Sequence, residues 1–186
     1  AMAMAMGHVI LKEFHVDGGS EYFSDYCRQY TDMPFLVRLE EQDGRLVQGR
    51  MLRARDFGGM NEDKNAEWKP VVFDKTSGSV KVPHGTIGSR WDGNAKWNLE
   101  MRDSASESDI WPLMSIKDDA DEMASVSFPY FGNLENEQPI FQATNHEGIL
   151  DRNVPVKRLK TEDGEVLVAT IYDLMIANYG VDNGGG

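Results

Sequence analysis

The hydrophobic pattern of the first thirty residues predicts two helices. Apolar residues recur at three- and four-residue steps, as on one face of a helix; they are Met2, Met6, Val9, Ile10 and Phe14. Glycines at the end of Asp17–Gly19 are typical of a helix terminus. Ser20 is a suitable N-cap for a second helix, which Met33-Pro34 interrupts. A methionine-rich stripe usually belongs to a core, so we expect the first helix to be buried.

From residue 35 the pattern changes to strands joined by turn residues. Three segments predict β-hairpins, with turns at Asp43-Gly44, Ser77-Gly78 and Asp163-Gly164. Segments rich in Asn, Asp, Ser and Gly predict loops between them; these are GGMNEDKNAE, RDSASESD and NLENEQP. Helical spacing returns over Ile171–Asn178, with Gly180 in a C-cap position.

These elements predict an α+β fold. It consists of an N-terminal helix pair, antiparallel β-hairpins with long loops, and a closing helix. We divide the chain into a helical segment over residues 1–34, a β-rich and loop-rich segment over 35–170, and the closing helix with the C-terminal end over 171–186.

The composition is that of a globular protein with an acidic surface. The 186 residues are 40% hydrophobic and 27% charged, with a formal net charge of −12. This charge argues against binding nucleic acid, since the field of the molecule would repel phosphates. No apolar run approaches the roughly 20 residues that a membrane helix needs.

Residues that often form metal sites are few and scattered. Cys27 is the single cysteine, so the chain cannot bind an iron–sulfur cluster unaided, and we interpret this thiol as a small buried apolar residue. The four histidines lack the spacing of a metal site, and we assign none as a ligand; they are His8, His15, His84 and His146. The acidic run Asp118–Glu122 lacks the glycine and the distal glutamate of a calcium loop. We predict no catalytic, cofactor-binding or metal-ligating residue.

Two weaker patterns leave alternatives open. The segment PHGTIGSRW offers Gly85, Gly88, Ser89 and Arg90 as a cradle for an anion, although loop glycines usually serve turns. The four tryptophans are core anchors or, if exposed, a stacking surface for a ligand; they are Trp68, Trp91, Trp97 and Trp111. A stand-alone β-rich module that binds a small ligand through these tryptophans is therefore an alternative function. A hydrolase built on Glu40, Asp56 and His84 has only the residue types in its favour.

Four short sequence motifs occur together, in this order, in one known family. They are YTDMP at Tyr30–Pro34, GRMLRA at Gly49–Ala54, KWNLE at Lys96–Glu100 and PVKRL at Pro155–Leu159. On the basis of these motifs, the chain resembles the alpha subunit of membrane-bound respiratory nitrate reductase. The resemblance extends from the first residue to about Val181. That subunit is a molybdenum enzyme of the DMSO-reductase superfamily.

The resemblance implies an internal piece of a larger enzyme. The parent would reduce nitrate to nitrite with electrons from quinol, at a molybdenum bis-(molybdopterin guanine dinucleotide) centre, and would carry one [4Fe–4S] cluster. Its partners would be an iron–sulfur beta subunit and a haem-bearing gamma subunit, at the cytoplasmic face of the cell membrane. The ligand motifs of both cofactors lie outside the matched segment. We therefore expect the reading frame to continue at both ends and the piece to be an inactive scaffold, its β-rich middle inserted in an α/β domain.

Overall fold

The computed structural model has the predicted α+β architecture, with helices first, strands in the middle and a helix last. It describes residues 2–60, 62–86, 88, 96, 98–129, 134–135, 138–139 and 149–181. No helix in these stretches has the length and apolar character of a membrane span.

The N-terminal helices begin and end close to the predicted residues. Helix α1 covers Met2–Val9 and continues as a π-helical segment over Ile10–Val16, and α2 covers Glu21–Tyr30. The Oγ of Ser20 accepts a hydrogen bond from the Phe23 N–H at 3.4 Å, as expected of an N-cap.

Eleven strands are described between the helices. They are β1 Leu36–Gln42, β2 Arg45–Met51, β3 Val72–Asp74, β4 Ser79–Lys81, β5 Pro83–His84, β6 Glu100–Asp103, β7 Glu122–Pro129, β8 Leu134–Glu135, β9 Gln138–Pro139, β10 Ile149–Thr161 and β11 Gly164–Thr170. Short 3₁₀ turns cover Ala54–Asp56 and Lys117–Asp119. All three predicted hairpins are confirmed, as the pairs β1–β2, β3–β4 and β10–β11.

The tight turn of the first hairpin depends on positive backbone angles. Asp43 has φ 52° and Gly44 has φ 73°, and Gln42 pairs with Arg45 across this two-residue loop. Two successive residues with positive φ form the turn that matches the twist of a β-hairpin, and Asp-Gly is a favoured sequence for it. Local chemistry thus determines the register of this hairpin.

Five of the strands close into a barrel, which the sequence did not predict. The order is β1-β11-β10-β7-β2, antiparallel except where β2 meets β7 in parallel through Leu46 and Val126. Closure hides the hydrogen-bonding edges that an open sheet would present to solvent.

The apolar residues in the described part of the chain form three buried clusters. One joins β1 and β11 to the β3–β4 hairpin, with Leu36 and Val71 at 0% exposure. A second joins barrel strands to helix α3, Ile171–Asn178. The third packs Leu11 and Cys27 of the N-terminal helices against the other side of α3. Helix α3 thus lies between the barrel and the helix pair.

One prediction is wrong, and another is not met within these 186 residues. The segment predicted as the loop NLENEQP contains the paired strands β8 and β9. The stripe on the first helix is exposed: Met2 is 80%, Met6 60% and Phe14 66% accessible. The face that does pack carries Leu11, the one buried residue among the described positions before Ser20.

Candidate functional site

The three residues considered for a hydrolase have unrelated partners. Asp56 is buried and pairs with Arg50, whose two terminal nitrogens each lie 2.7 Å from a carboxylate oxygen. His84 places Nε2 2.9 Å from Oε1 of Glu107. Glu40 lies against the backbone of Gly49, where an added Cβ would come within 2.7 Å of its Cδ. The structure therefore provides no support for a shared hydrolytic site.

Asp56 has a structural role in the segment that follows β2. Burial would raise the pKa of this carboxyl, but hydrogen bonds from Arg50 and the Arg53 N–H bring the pKa below its usual value. A carboxylate held ionised by a bidentate arginine is a stable anchor and a poor proton donor.

The described histidines take part in packing and hydrogen bonding. Nδ1 of His8 lies 2.9 Å from the carbonyl oxygen of Tyr179 at the end of α3. The His15 ring lies 4.5 Å from the Phe23 ring, and burial lowers the pKa of the imidazole. His146 lies outside the described residues.

Cys27 lies in the core, as predicted. It is 4% exposed, and burial raises the pKa of its thiol. A protonated and enclosed thiol is a weak nucleophile and a weak metal ligand.

The residues that the structure describes provide no ligand set for either metal centre of the resembled family. Among them, no three His, Cys, Asp or Glu side chains come together as a metal site. A [4Fe–4S] cluster needs four ligands that are mostly cysteines, and the one cysteine is enclosed. The acidic run Asp118–Glu122 is used otherwise, because Asp121 accepts from the Arg158 N–H and Glu122 pairs with the Arg158 side chain.

The tryptophans that are described do not behave as core anchors. Trp68 is 51% exposed and Trp111 is 44% exposed. The Arg28 guanidinium lies 4.2 Å from the centre of the Trp111 ring and covers it. Trp91 and Trp97 lie outside the described residues. Among the described tryptophans, no stacking surface is assembled.

The glycines of the possible anion cradle are used for close packing. Gly85 has φ +93°, and an added Cβ would lie 2.1 Å from the carbonyl oxygen of Asn98. Gly88 lies against the backbone of Trp68 and Lys69 in the same way. Ser89 and Arg90 lie outside the described residues, so the cradle itself remains a prediction.

A cavity of about 730 Å³ lies at one side of the barrel, and the two arginines on its wall are paired with carboxylates. Arg45 donates to both carboxylate oxygens of Asp151, at 2.9 and 3.1 Å, and the Ser127 hydroxyl donates to the same group at 2.5 Å. Arg158 and Glu122 form a second pair on the cavity wall. This arrangement joins β2, β7 and β10 and leaves these cations engaged with protein carboxylates.

A second cavity, of about 440 Å³, lies between the helix pair and Trp111. Its lining includes His15, Asp25 and Arg28. Arg28 is held by Asp25 at 2.6 Å and by the carbonyl oxygen of Pro112 at 3.0 Å. The cavity therefore marks the junction of two structural units and shows no chemistry of its own.

The most distinctive surface is the exposed side of the helix pair. We call Met2, Met6, Val9, Ile10 and Phe14 the apolar stripe, and their exposure ranges from 43% to 80%. On α2, Tyr22, Tyr26 and Tyr30 form a ladder with ring centres 6.3 and 4.9 Å apart. Large exposed apolar patches usually mark interaction sites.

Asp173 is a buried acid that the sequence analysis did not single out. Its Oδ2 accepts hydrogen bonds from the Ile116 N–H at 3.0 Å and the Thr170 hydroxyl at 2.8 Å, at the first turn of α3. Burial raises the pKa of this carboxyl to about 6. The sequence signal was the Thr-x-x-Asp spacing before an apolar helix, which is typical of a capping box.

Comparison with known proteins gives matches along the whole chain, although no family model matches it. The Respiratory nitrate reductase 1 alpha chain of Escherichia coli is 49% identical over 186 residues, which are 99% of this chain and 15% of that protein. The Nitrate reductase alpha chain of Bacillus subtilis is 43% identical over 186 residues, covering 100% of this chain and 14% of its own length.

A more distant relative is matched over the same extent. The Nitrate reductase alpha subunit of Mycobacterium tuberculosis is 39% identical over 192 residues, 100% of this chain and 14% of that subunit. This chain therefore spans about one seventh of the length of the curated relatives that it matches. These matches confirm the family resemblance that the short sequence motifs indicated.

Proposed function

We propose that this chain, which is homologous throughout to one segment of the nitrate reductase alpha chain, is a scaffold segment of the catalytic subunit of a respiratory nitrate reductase. The observation that carries the proposal is identity of 38–49% along the whole chain with alpha chains of which it spans 14–16%. Similarity this continuous indicates that the segment keeps one fold and one place in these proteins.

The whole enzyme would reduce nitrate to nitrite with electrons from quinol. A molybdenum bis-(molybdopterin guanine dinucleotide) centre would supply the oxygen-atom transfer, and a [4Fe–4S] cluster would carry electrons. An iron–sulfur beta subunit and a haem-bearing gamma subunit would be its partners, at the cytoplasmic face of the membrane. The described residues include no group of three potential metal ligands, and we propose that the ligands of both metal centres lie elsewhere in the subunit.

The segment's own contribution is shape and rigidity. Five strands close into a barrel, and ion pairs that include Arg50–Asp56 and Arg45–Asp151 link neighbouring elements. Residues around a bound cofactor must hold it and exclude water, and a rigid neighbouring unit helps with both tasks. We propose that residues 1–34 and 171–186 frame the cofactor domain and that residues 35–170 form an insertion in it.

A segment exchange tests this function. The matched segment of the Escherichia coli alpha chain is replaced by these 186 residues, and the chimera is assayed for bound molybdenum and for nitrate reduction by a reduced viologen dye. We expect molybdenum at the parental stoichiometry and measurable reduction of nitrate. A chimera that accumulates as folded protein but binds no molybdenum and reduces no nitrate would contradict the proposal.

Two controls make the exchange informative. A chimera with Leu36→Asp places an unpaired charge at a fully buried position and should abolish accumulation. The 186-residue chain purified by itself should bind no molybdenum, and stoichiometric metal in that sample would assign the cofactor to this segment instead.

A further inference from the structure

Exposed apolar side chains are concentrated in the helix pair. Of the twelve large hydrophobic residues that are exposed in the described chain, nine lie between residues 2 and 30. Three others, Trp68, Trp111 and Met123, are dispersed over the rest. A surface this uneven indicates one side that is shaped for contact with other protein.

Helix α1 is held in a defined orientation by its other face. Gly7 lies so close to the Tyr179 ring that an added Cβ would come within 2.3 Å of it. Nδ1 of His8 lies 2.9 Å from the Tyr179 carbonyl oxygen, and Leu11 is 7% exposed. Since one face is docked on α3, the opposite face is presented at a fixed position.

The apolar stripe continues from α1 into the π-helical segment. Within Ile10–Val16 the bonds are of the π type, as in the Asp17 N–H donating to the Lys12 carbonyl oxygen at 2.8 Å. Val9 is 43% exposed and Phe14 is 66% exposed, so the stripe includes residues on both sides of this change in winding.

The chemistry of the stripe favours burial against polypeptide. Met2–Val9 contains no Asp, Glu, Lys or Arg, and a helix that is apolar on all sides is usually enclosed. A second copy or an anionic membrane would bring negative charge toward a chain whose net charge is already −12. A segment of the same polypeptide is tethered to the stripe, so it loses less entropy on contact than a separate partner does.

We propose that the apolar stripe is covered by the part of the same alpha chain that lies outside these 186 residues. The inference rests on the proposed function. The matched alpha chains extend far beyond this segment, which spans only 14–16% of them, so ample polypeptide is available to cover the stripe. The occupant would present aliphatic or aromatic side chains in a groove that accepts Phe14.

Methionine oxidation tests whether the stripe is covered. The chimeric alpha chain is exposed to hydrogen peroxide, and sulfoxide at Met2 and Met6 is followed by peptide mass spectrometry in native and urea-unfolded samples. Buried Met114, 7% exposed, provides the reference for full protection. We expect at least about tenfold slower oxidation of Met2 and Met6 in the native sample. Smaller protection would overturn the inference, because a stripe with the exposure seen here would oxidise at nearly the unfolded rate.

Photo-crosslinking identifies the occupant. p-Benzoylphenylalanine replaces Phe14 in the same chimera, and crosslinked peptides are sequenced. Crosslinks to alpha-chain peptides outside the 186 residues support the inference, whereas crosslinks to another subunit or a second alpha chain overturn it. The same probe at Phe23, whose ring packs on His15, should crosslink within the segment.

One assay separates the two proposals. Each preparation is also tested for nitrate reduction by reduced viologen. An active chimera with oxidisable Met2 and Met6 would overturn the inference and leave the proposed function intact. A folded chimera with protected methionines but without molybdenum and nitrate reduction would overturn the proposed function.

Discussion

The barrel and the helix pair differ in how completely they bury their apolar residues. In the barrel, Val126, Val154 and Val156 are at 0% exposure, and strand pairing runs around the whole circle. In the helix pair, Leu11 and Cys27 are the buried apolar residues, and Tyr22 and Met2 are each 80% exposed. The barrel carries its own core, whereas the helix pair buries only part of its apolar surface within this chain.

The difference shows that the barrel provides stability within this chain, whereas the helix pair has a side that is left for contact with other protein. A closed barrel needs nothing from outside because its edges and its interior are satisfied together. A helix with two apolar faces is satisfied by one neighbour on each side, and here helix α3 provides only one of them. The exposed side is therefore evidence of a larger assembly.

The largest expected effect comes from truncating the barrel-side core. Leu36→Ala should lower the free energy of unfolding by about 2–5 kcal/mol, because Leu36 is at 0% exposure and its removal leaves a cavity. Met6→Ala should change it by no more than about 0.5 kcal/mol, because Met6 is 60% exposed. Urea unfolding of the two variants measures the contrast, and equal losses would contradict the comparison.

The next largest effect is a pH dependence of the free energy of unfolding. It arises from Asp173, in the first turn of α3, which lies between the barrel and the helix pair. Burial raises the pKa of Asp173 to about 6, above the 3.8 that is usual for an aspartate, so the folded state holds this proton more tightly than the unfolded state. The stability it contributes is present below pH 3.8 and is lost as the pH rises to about 6. Relative to Asp173→Asn, the unmodified protein should lose about 3 kcal/mol between pH 4 and 7. Urea unfolding across that range measures the slope.

Asp56→Asn is the matched control for this titration. Arg50 and the Arg53 N–H outweigh burial and lower the pKa of Asp56, so its stabilising contribution is present at neutral pH and is lost in acid. The difference curve of this variant should therefore have the opposite sign, below about pH 4. Slopes of the same sign for both variants would show that the assignment to Asp173 is wrong.

A smaller loss of stability is expected from a substitution that detaches α1 and leaves the barrel unchanged. Gly7→Ala places a methyl group about where the Tyr179 ring lies, and we expect a loss of about 1–3 kcal/mol from the docking of α1. Hydrogen exchange should quicken over residues 2–16 and remain unchanged in β10 and β11. The double variant Gly7→Ala with Tyr179→Ala should restore slow exchange, and no restoration would exclude this clash as the cause.

The smallest effect is expected on the tyrosine ladder. Tyr26→Ala should change the free energy of unfolding by less than about 0.5 kcal/mol, because Tyr26 is 51% exposed and its ring stacks on Tyr22 and Tyr30 of the same helix. Tyr172→Ala, at 6% exposure in the shared cluster, should cost about 3 kcal/mol or more. A large loss for Tyr26→Ala would show that this face is already in use within the chain.

Local elements followed from the sequence because their causes are local. Ser20 caps α2, and Asp43-Gly44 adopts the positive angles of a tight turn. The buried position of Cys27 also followed, since its spacing from Phe23 places both on one helix face. Each of these features needs only a few neighbouring residues.

The candidate site could be predicted only in part. Sequence words indicated the family, and the whole-chain matches confirmed it. Residue types alone suggested Glu40, Asp56 and His84, but they are separately partnered, because pairing depends on which strands meet. The capping acid Asp173 had a local signal, although its burial came from the packing of Ile116 and Thr170 around it.

The sequence by itself determined the helices at the two ends of the chain, the three hairpins and the family resemblance, because these depend on local propensity and on short motifs. Only the tertiary structure decided that five strands close into a barrel and that α1 docks through Gly7 while its methionine stripe remains exposed. A periodic pattern shows which residues share a face. It does not show which of two apolar faces meets a neighbour, because that choice depends on contacts between residues distant in sequence.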